Sequence, residues 1–474
     1  MMTGTPMHAE RRQGNVGRSE RNNVLFIAIA TSCVAVIGSG VTFALVIAVV
    51  WAAVSLLLGR FPFGVEAHQR AFVLIFSSFA IMGYLMVRHH QGSFFGLDGF
   101  EYLIFLAPLL MLPRFAIGPD KERLRSTFKY SMAAGGIFAG AIAVAQILYW
   151  GARAEGGAGN ALAFATVAAL AGVGALLLLI EPANRRDRLL GIFGWTGAVI
   201  AVVLSQSRTL IVVLMCCSLF LALLNWREIT AGLSRAAVIL LGCLVLVISA
   251  MAASVVVERM SADVLPVAED VSEPSSAGWR SIYLQAGWRV ASQSLIVGVG
   301  RANRAHLIGR ELEAKGLPTR MQVKIAYSSW HRYLPAFMQP SIVNWQLERW
   351  KNAQARHSDG SNIERPHIEA TTSERISSPH SHLHNAYMTM LVDHGLIGFF
   401  SLAVLLAGPP LMAVRLGLQK SDRAAFQTYS MMVVALALAG VTNVHIENDI
   451  VAAYFILLSI IYWHIFRAPT LKGG

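Results

Sequence analysis

The hydrophobic residues of this chain come in blocks that match the length an α-helix needs to cross a bilayer, roughly 20 residues. About twelve such blocks alternate with short polar connections. They cover approximately residues 24–39, 41–58, 71–87, 98–117, 130–150, 159–180, 189–206, 209–225, 235–257, 396–414, 425–441 and 450–466. Lipid offers the backbone no hydrogen-bond partners, so we expect each block to be helical.

Charge along the chain predicts how these helices are oriented. The chain is 55% hydrophobic and 14% charged, with a formal net charge of +12. Alternate connections carry most of the cations, in the N-terminal tail and then at Arg60, Arg70, Lys121, Arg123, Arg125, Lys129, Arg185, Arg186, Arg188, Arg227, Arg235, Arg415, Lys420, Arg423, Arg467 and Lys472. Because cations in short connections favour the cytoplasmic side, both termini are predicted to be cytoplasmic. The basic balance therefore needs no nucleic-acid partner.

One long polar segment, residues 258–395, falls on the opposite, periplasmic side. It is rich in charge and His and holds half of the chain's tryptophans, which either belong to an interfacial belt or stack on sugar rings. The apolar spacing from Trp279 to Ser292 predicts a helix that ends before Gly298 and Gly300. The predicted fold class is an all-α polytopic membrane protein with about twelve transmembrane helices and one large periplasmic loop containing short helices. Its parts are a tail (1–23), a bundle of about nine helices (24–257), the loop (258–395), about three helices (396–466) and a second tail (467–474).

Cysteine and the N-terminus add little chemistry. Cys33, Cys216, Cys217 and Cys243 all lie in apolar blocks, where a free thiol is a small hydrophobic group. Neither a disulfide nor a metal site is predicted from them. Arginines precede the first block as in a signal peptide, but no cleavage site leads into a soluble domain, so an uncleaved signal anchor is expected.

Ionisable residues at a membrane edge are costly and are therefore candidates for function. The predicted topology brings four groups to the outer side: Ser205–Arg208, the loop arginines Arg280, Arg289, Arg301 and Arg304, the segment His380–Tyr387, and the turn with His445, Glu447, Asn448 and Asp449. Three of these groups have a simpler structural explanation. Arg208 could anchor a helix end by snorkelling, the loop arginines could be solvated, and the last turn could be a hydrated polar turn.

The histidines at 380, 382 and 384 could suggest a metal site. No carboxylate or cysteine set completes it, and the segment leads into a helix, so no metal is predicted. Histidine titrates near neutral pH and is a ready general base. Arginine binds phosphate oxygens bidentately. Together these residues indicate transfer from a pyrophosphate donor to an alcohol, with arginine stabilising the charge on the leaving group.

Three local motifs resemble the O-antigen ligases and the superfamily that they share with O-antigen polymerases and pilin O-oligosaccharyltransferases. They are the pair Ser207-Arg208 at a helix boundary, Arg280 followed by Leu295–Gly300, and His384–Tyr387 leading to His394–Gly398. The last is the most specific. An insertion between Arg310 and His380 makes the loop large for this type of enzyme, which leaves the acceptor open.

The resemblance implies a metal-independent, inverting glycosyltransferase without a cofactor, in the bacterial inner membrane with a periplasmic active site. It would move O-antigen from undecaprenyl pyrophosphate to the lipid A-core of lipopolysaccharide. His384 would be the base, with His382 as the alternative. The pyrophosphate would be held by Arg208 and Arg280, with Arg289 and Arg301 as further candidates, and the supporting groups would be Asn385, Tyr387, Glu447 and Asp449.

Three other functions stay open at this point. A polymerase or a pilin glycosylase differs from a ligase in the acceptor hydroxyl alone, and one dominant late loop favours the ligase by resemblance. A lipid or polysaccharide transporter would also have about twelve helices. Transporters, however, place charges near the bilayer midplane and often show two similar halves, whereas this chain concentrates ionisable residues at one face.

Overall fold

The structure is a computed structural model of the 474-residue chain. It describes residues 21–59, 64–91, 99–116, 121–150, 154–231, 276–317, 320–325, 374–379, 383–442 and 448–466.

Helices make up nearly all of this part of the chain. The longer helices are α1 (21–32), α2 (Gly40–Leu57), α3 (Arg70–Gln91), α4 (Ala107–Phe115), α5 (Lys121–Trp150), α6 (Ala161–Ala175), α7 (Arg185–Leu204), α8 (Arg208–Leu224), α9 (Ser276–Gln293), α10 (Arg301–Glu313), α11 (Ala386–Arg415), α12 (Arg423–Gly440) and α13 (Asp449–Ile465). Single α-turns and 3₁₀ turns connect them at Val34–Ile37, Ala67–Gln69, Phe100–Leu103, Ile104–Leu106, Gly156–Ala158, Leu177–Ile180, Trp226–Thr230 and Leu418–Ser421.

Six helices among the described residues are long and apolar enough to cross a membrane. These candidate spans are Gly40–Leu57, Ala67–Gln91, Lys121–Leu148, Ala161–Ile180, Arg185–Leu204 and Ala386–Arg415. Two further apolar helices, α8 and α13, have 17 residues each. The count of twelve stays a prediction, because the block at 235–257 lies outside the described residues.

Two helices occupy the centre of the bundle. The span Ala161–Ile180 is buried throughout its apolar window, and α13 is buried from Ile450 to Ile465. A helix that is apolar all round has no polar face to offer water and is stable in such a central position.

Glycines let two of the surrounding helices approach closely. A Cβ atom added to Gly136 on α5 would lie 2.1 Å from the carbonyl oxygen of Gly194 on α7, and one added to Gly140 would lie 2.7 Å from Gly197 Cα. Small residues at a helix contact are the usual means of tight packing between membrane helices. The α5–α7 pair thus depends on backbone contact at these positions.

Two of the predicted apolar blocks are interrupted. The block at 24–39 is divided between α1 and the single turn Val34–Ile37, and the chain turns at Gly38 with φ 51°. In the block at 98–117 the chain makes two short turns before α4, which contains Pro113. The N–H that proline lacks is not needed in the first turn of a helix, where Pro108 stands, so α4 starts there as a separate helix.

The boundary predicted between loop and membrane helix at residue 395 corresponds to a break inside α11. The helix starts ten residues before the predicted block, at Ala386, because Asn385 caps it. Gly395 then interrupts the helical backbone with φ 63° and ψ −158°. The predicted boundary is therefore a kink between two helical halves of α11.

A two-stranded antiparallel sheet corrects the all-α prediction. β1 (Arg320–Ile325) pairs with β2 (Glu374–Pro379), with Arg320 opposite Pro379 and Ile325 opposite Glu374. β-branched residues favour strands, and in this register Val323 stands opposite Ile376. The surrounding polar composition gives no periodicity from which the pairing could have been found, and the strands are separated by 48 residues, 326–373, that lie outside the described part.

A cluster of charges closes the end of the bundle where α5 and α12 begin. The Arg125 guanidinium donates to both carboxylate oxygens of Glu181 at 2.7 Å and also to the carboxylate of Asp422. Arg125 and Asp422 are both almost fully buried. Arg125, which the sequence predicts to orient the helices, thus also connects α5 to Glu181, after the turn Leu177–Ile180, and to Asp422 at the start of α12.

We expect Arg125→Met to lower the free energy of unfolding by about 3–5 kcal/mol, because it leaves the buried Asp422 carboxylate without its cation. Arg123→Met on the same turn, at an exposed position, is the matched control and should change stability by no more than about 0.5 kcal/mol. Denaturant unfolding of the two purified variants in detergent measures the difference. Equal stability of both variants would contradict a stabilising role for Arg125.

Candidate active site

The turn that carries His384 is attached to the end of α12. His384 has φ 51°, a left-handed conformation uncommon outside glycine, and the next residue, Asn385, is the N-cap of α11. The Asn385 side chain accepts the N–H of Met388 at 2.8 Å and donates to the carbonyl of Val441 at 2.9 Å. One side chain therefore both starts α11 and ties it to the residue after α12.

Tyr387 makes a second connection of the same kind. Its hydroxyl donates to the carbonyl of Ala437 on α12 at 2.8 Å. Asn385 and Tyr387, predicted as supporting residues, thus both anchor the start of α11 on α12. This anchoring places His384 at the junction of the two helices.

Helix α9 packs against the same turn from the loop side. The ring of Tyr283 lies 6.0 Å from the ring of His384, centroid to centroid, and Trp279 stacks on Tyr283 at 5.7 Å. A Cβ atom on Gly287 would lie 2.8 Å from Met388 Cγ, so α9 and the first turn of α11 are in close contact. Burial raises the pKa of Tyr283 to about 12, further above the neutral pH at which a phenol is already protonated.

Arg280 lies on the α9 face that meets this turn. It precedes Tyr283 by three residues and Gly287 by seven, and residues at these spacings share one helix face. Its side chain is exposed, whereas Tyr283 is buried. Arg280 therefore stands one turn beyond the Tyr283–His384 contact, at the solvent edge.

Arg208 begins α8 at the same end of the bundle. Arg423, the first residue of α12, donates to the carbonyl of Leu224 at the end of α8, at 3.1 Å. The two helices are therefore antiparallel neighbours, and the start of α8 lies at the end where α12 finishes and Asn385 is bonded. Arg208, Arg280 and His384 thus share one end of the molecule.

A tight turn brings the chain into α8. Gln206 adopts φ 57°, and the Ser205 hydroxyl accepts the N–H of Ser207 at 3.3 Å while donating to the carbonyl of Val202 at 2.6 Å. These short polar side chains let α7 end and α8 begin within three residues. Arg208 is half-buried as the first helical residue.

Arg289 and Arg301 are placed differently from Arg280. Arg289 pairs with Glu311 on α10 at 3.4 Å, and Arg301 pairs with Glu101 at 3.0 Å. Both guanidinium groups are more than half exposed. The structure thus brings these two arginines to neighbouring carboxylates and does not bring them to the His384 contact.

Some predicted site residues lie outside the described residues: His380, His382, His445 and Glu447. Asp449 is described and opens α13, where its carboxylate is favoured by the helix dipole. The Thr42 hydroxyl donates to the Asp449 carbonyl at 3.1 Å. Within the described ranges no three metal-ligating side chains come together. His380 and His382 lie outside those ranges, so the absence of a metal stays a prediction.

The motifs Leu295–Gly300 and His394–Gly398, which are far apart in sequence, lie against each other. Leu396 N–H donates to the Leu295 carbonyl at 2.8 Å and Ile397 N–H donates to the Ile296 carbonyl at 3.3 Å. From the other side, Val299 N–H reaches the Val392 carbonyl at 2.8 Å and Gly300 N–H reaches the Asp393 carbonyl at 3.1 Å. The backbone groups released by the α11 break are satisfied by the turn between α9 and α10.

Glycine is required where these two segments cross. A Cβ atom on Gly298 would lie 2.5 Å from the carbonyl carbon of Asp393, and one on Gly395 would lie 2.2 Å from the Ile296 oxygen. Both residues also have positive φ, which L side chains rarely adopt. Close approach of two backbones thus gives the physical reason for the glycines in these two motifs.

Two polar contacts beneath this crossing were not predicted. Arg304 on α10 forms a buried ion pair with Asp393, and the Tyr102 hydroxyl lies 2.8 Å from Nε2 of the buried His394. An acidic residue and a histidine beside the Gly395 break were the available signal, since buried polar side chains need partners.

Comparison with known families bears directly on the arginines. Residues 192–331 match the family model described as O-antigen ligase. This segment is therefore similar to the O-antigen ligase family. No curated protein matches the chain.

The O-antigen ligase match includes Arg208 and Arg280 and ends before the His384 turn. The match indicates a glycosyltransferase-type enzyme that acts on polysaccharide and lipid-linked substrates in general. Together with the six apolar helices of spanning length, it indicates a multi-pass membrane protein. The His384 turn is connected to the matched segment by the structure, through Tyr283 and Gly287.

We expect Gly395→Ala to destabilise the loop, by at least about 1–3 kcal/mol from the backbone conformation alone. The added methyl would also meet the Ile296 carbonyl. Gly309→Ala in the middle of α10 has open space and is the control, with an expected gain of up to about 1 kcal/mol. Limited proteolysis and thermal unfolding in detergent would measure both; an unchanged digestion pattern for Gly395→Ala would speak against the crossing.

Proposed function

We propose that this protein is an O-antigen ligase, a metal-independent, inverting glycosyltransferase. It transfers O-antigen polysaccharide from undecaprenyl pyrophosphate to the lipid A-core of lipopolysaccharide, in the periplasmic leaflet of the bacterial inner membrane. The family match and the contact between α9 and the His384 turn support the proposal. The contact is the observation on which the choice of site residues rests. Because Tyr283 meets His384 at 6.0 Å, the helix that bears Arg280 is joined to the turn that bears the base.

Arg208 and Arg280 are the donor-binding residues of this proposal. Both stand at the end of the bundle where the His384 turn lies, one half-buried and one exposed. A guanidinium keeps its charge in a partly dry site and presents parallel N–H groups to phosphate oxygens. Arg289 and Arg301 would reach the donor only after separating from Glu311 and Glu101, so they have a secondary place.

His384 acts as the general base in the transfer step. It takes the proton of the acceptor hydroxyl while that oxygen forms a bond to the anomeric carbon of the donor sugar. The bond from this carbon to the pyrophosphate oxygen breaks, and undecaprenyl pyrophosphate leaves with the bonding electrons. Attack on the face opposite the leaving group inverts the anomeric configuration. His382 remains the alternative base.

The neighbouring groups set the surroundings of this base. Asn385 and Tyr387 hold its turn on α12, which limits the positions that His384 can take. Tyr283 is a neutral phenol near pH 7, so it adds no negative charge beside the phosphates. Glu447 or Asp449 would be a supporting group that orients this base.

The acceptor decides between the ligase and its relatives. A polymerase would use a sugar hydroxyl of another lipid-linked chain, and a pilin O-oligosaccharyltransferase would use Ser or Thr of a protein. One large loop favours the ligase. Purified protein in detergent, given lipid-linked glycan, lipid A-core and a chelator, is expected to form core-linked glycan without a gradient.

The same assay separates the alternatives. Longer glycan on the carrier lipid with unmodified core would replace the ligase by a polymerase. Transfer to a pilin alone would indicate the protein glycosylase. Complete lack of transfer, combined with movement of lipid-linked glycan across liposome membranes, would identify a transporter. Loss of transfer on adding the chelator would contradict the metal-independent mechanism.

A further inference from the structure

The ion pair between Arg304 and Asp393 lies at the crossing of the loop and α11. The guanidinium donates to Asp393 Oδ2 at 2.5 Å, and the two side chains are only 3% and 2% exposed. Arg304 belongs to α10, and Asp393 lies in α11 two residues before the Gly395 break. The pair thus connects the loop to the last turn of the first half of α11.

Stability alone is a weak reason for such a pair. Removing two charges from solvent costs free energy that their attraction only partly returns, and apolar residues of similar volume often serve as well. Buried ion pairs are best attested where they select one arrangement of packed elements over another. The relevant question is therefore which arrangement Arg304 and Asp393 select.

The first half of α11, residues 386–394, is a short half-helix that is held at both ends. Asn385 attaches its beginning to α12. At its other end Asp393 meets Arg304, while His394 Nε2 lies 2.8 Å from the Tyr102 hydroxyl. His384 lies two residues before this half-helix, so its position follows the position of both ends.

Helices α9 and α10 both pack against this half-helix. Their connecting turn bonds to the backbone on both sides of the break, through Val299 and Leu396 among others. Gly287 on α9 is packed on Met388, in the first turn of this half-helix. A shift of α10 relative to Asp393 would therefore move α9, and with it Arg280, relative to His384.

We propose that Arg304 and Asp393 are positioning residues that set the separation between Arg280 and His384. The inference rests on the proposed function, in which these two residues act on the donor and the acceptor. Neither Arg304 nor Asp393 touches substrate. Their contribution is the register of α9 and α10 along the first half of α11, and an error of about 1 Å in such a register can cost about 100-fold in rate.

The double variant Arg304→Met/Asp393→Leu removes both charges while keeping side-chain volume. We expect its thermal midpoint to stay within a few degrees of the wild type, because no lone charge is left buried. Its kcat should fall at least about tenfold, with KM for the lipid-linked donor changed less than about twofold. Arg310→Met/Glu313→Leu, the same substitutions at exposed positions of α10, is the control and should keep kcat unchanged.

A conservative pair tests geometry separately from charge. Asp393→Glu keeps the ion pair but lengthens one partner by a methylene, and it should lower kcat several-fold. Combining it with Arg304→Lys, a shorter cation, should recover part of the loss. If the apolar double variant does not fold, this recovery decides the question, and its absence overturns the proposal.

A measurement without substrate completes the test. In a chain without its native cysteines, Gly287→Cys/Met388→Cys places two thiols at the α9 contact, where a Cβ at 287 would approach Met388 Cγ to 2.8 Å. Oxidation should cross-link these positions readily, and adding Arg304→Met/Asp393→Leu should slow the cross-linking several-fold.

These outcomes separate the two proposals. Inactive wild-type protein with pair-dependent cross-linking would reject the ligase while keeping the role of Arg304 and Asp393 in holding α9 against α11. With active wild type, the positioning role would be rejected if the apolar double variant kept full kcat or raised only KM. It would also be rejected if the loss of kcat matched the loss of folded protein, or if the double substitution left the cross-linking rate unchanged.

Discussion

Replacing His384 by alanine is expected to reduce glycan transfer by about 100-fold to 10,000-fold, the usual contribution of a general base. The substitution removes the group that takes the acceptor proton, while Asn385 and Tyr387 still attach the turn to α12. Thermal unfolding should therefore stay close to that of the wild type. Initial rates with purified protein, lipid-linked glycan and lipid A-core measure the loss.

Two further variants make this result specific. His306→Ala, at an exposed position on α10, is the matched control and should transfer at the wild-type rate. His382→Ala tests the alternative base two residues earlier. Normal turnover by His384→Ala combined with inactive His382→Ala would move the base to His382, and normal turnover by both would remove histidine from the mechanism.

The second large effect is expected at Arg280. Arg280→Lys keeps the positive charge but loses the planar fork, and we expect transfer to fall by about 100-fold. Arg280 is exposed, so the loss should not come from unfolding. Because the arginine stabilises charge on the leaving pyrophosphate, kcat should fall more than donor KM rises.

Arg289→Lys on the same helix is the comparison for Arg280→Lys. Its side chain is 57% exposed and paired with Glu311, so we expect less than about a threefold change in rate. Similar losses in both variants would mean that general loop charge attracts the donor. An unchanged transfer rate in Arg280→Lys would mean that Arg280 is only a solvated surface residue.

The membrane helices were accessible from sequence because their signal is local. The blocks at 209–225 and 450–466 differ by one residue at each end from α8 and α13. The loop helix predicted over 279–292 lies within α9. Local periodicity and composition determine these elements, so no knowledge of their partners was needed.

Contacts between distant segments were not accessible in the same way. Asp393 and Arg304 are separated by 89 positions, and nothing in either local pattern says that they meet. The sequence predicts the end of a loop at residue 395, because apolar character begins there. The structure shows a helix on both sides, since Asn385 supplies the cap and the 295–300 turn supplies the missing bonds.

The candidate site was predicted in part for a similar reason. His384 and Arg280 could be named from motifs, whereas their proximity depends on Tyr283 and Gly287, which carry no motif signal. Arg289 and Arg301 were grouped with Arg280 by charge and loop position. Sequence could not reveal Glu311 and Glu101 as their partners, because those pairs form between separate elements.

The most direct test of the central claim is the lipopolysaccharide profile of a deletion strain complemented with wild type or with His384→Ala, with carrier-linked glycan measured in parallel. Wild type should restore the full ladder. His384→Ala should leave core-only lipopolysaccharide and accumulated long glycan on undecaprenyl pyrophosphate. Core bearing a single repeat in the deletion strain, or a complete ladder without the protein, would contradict the assignment as a ligase.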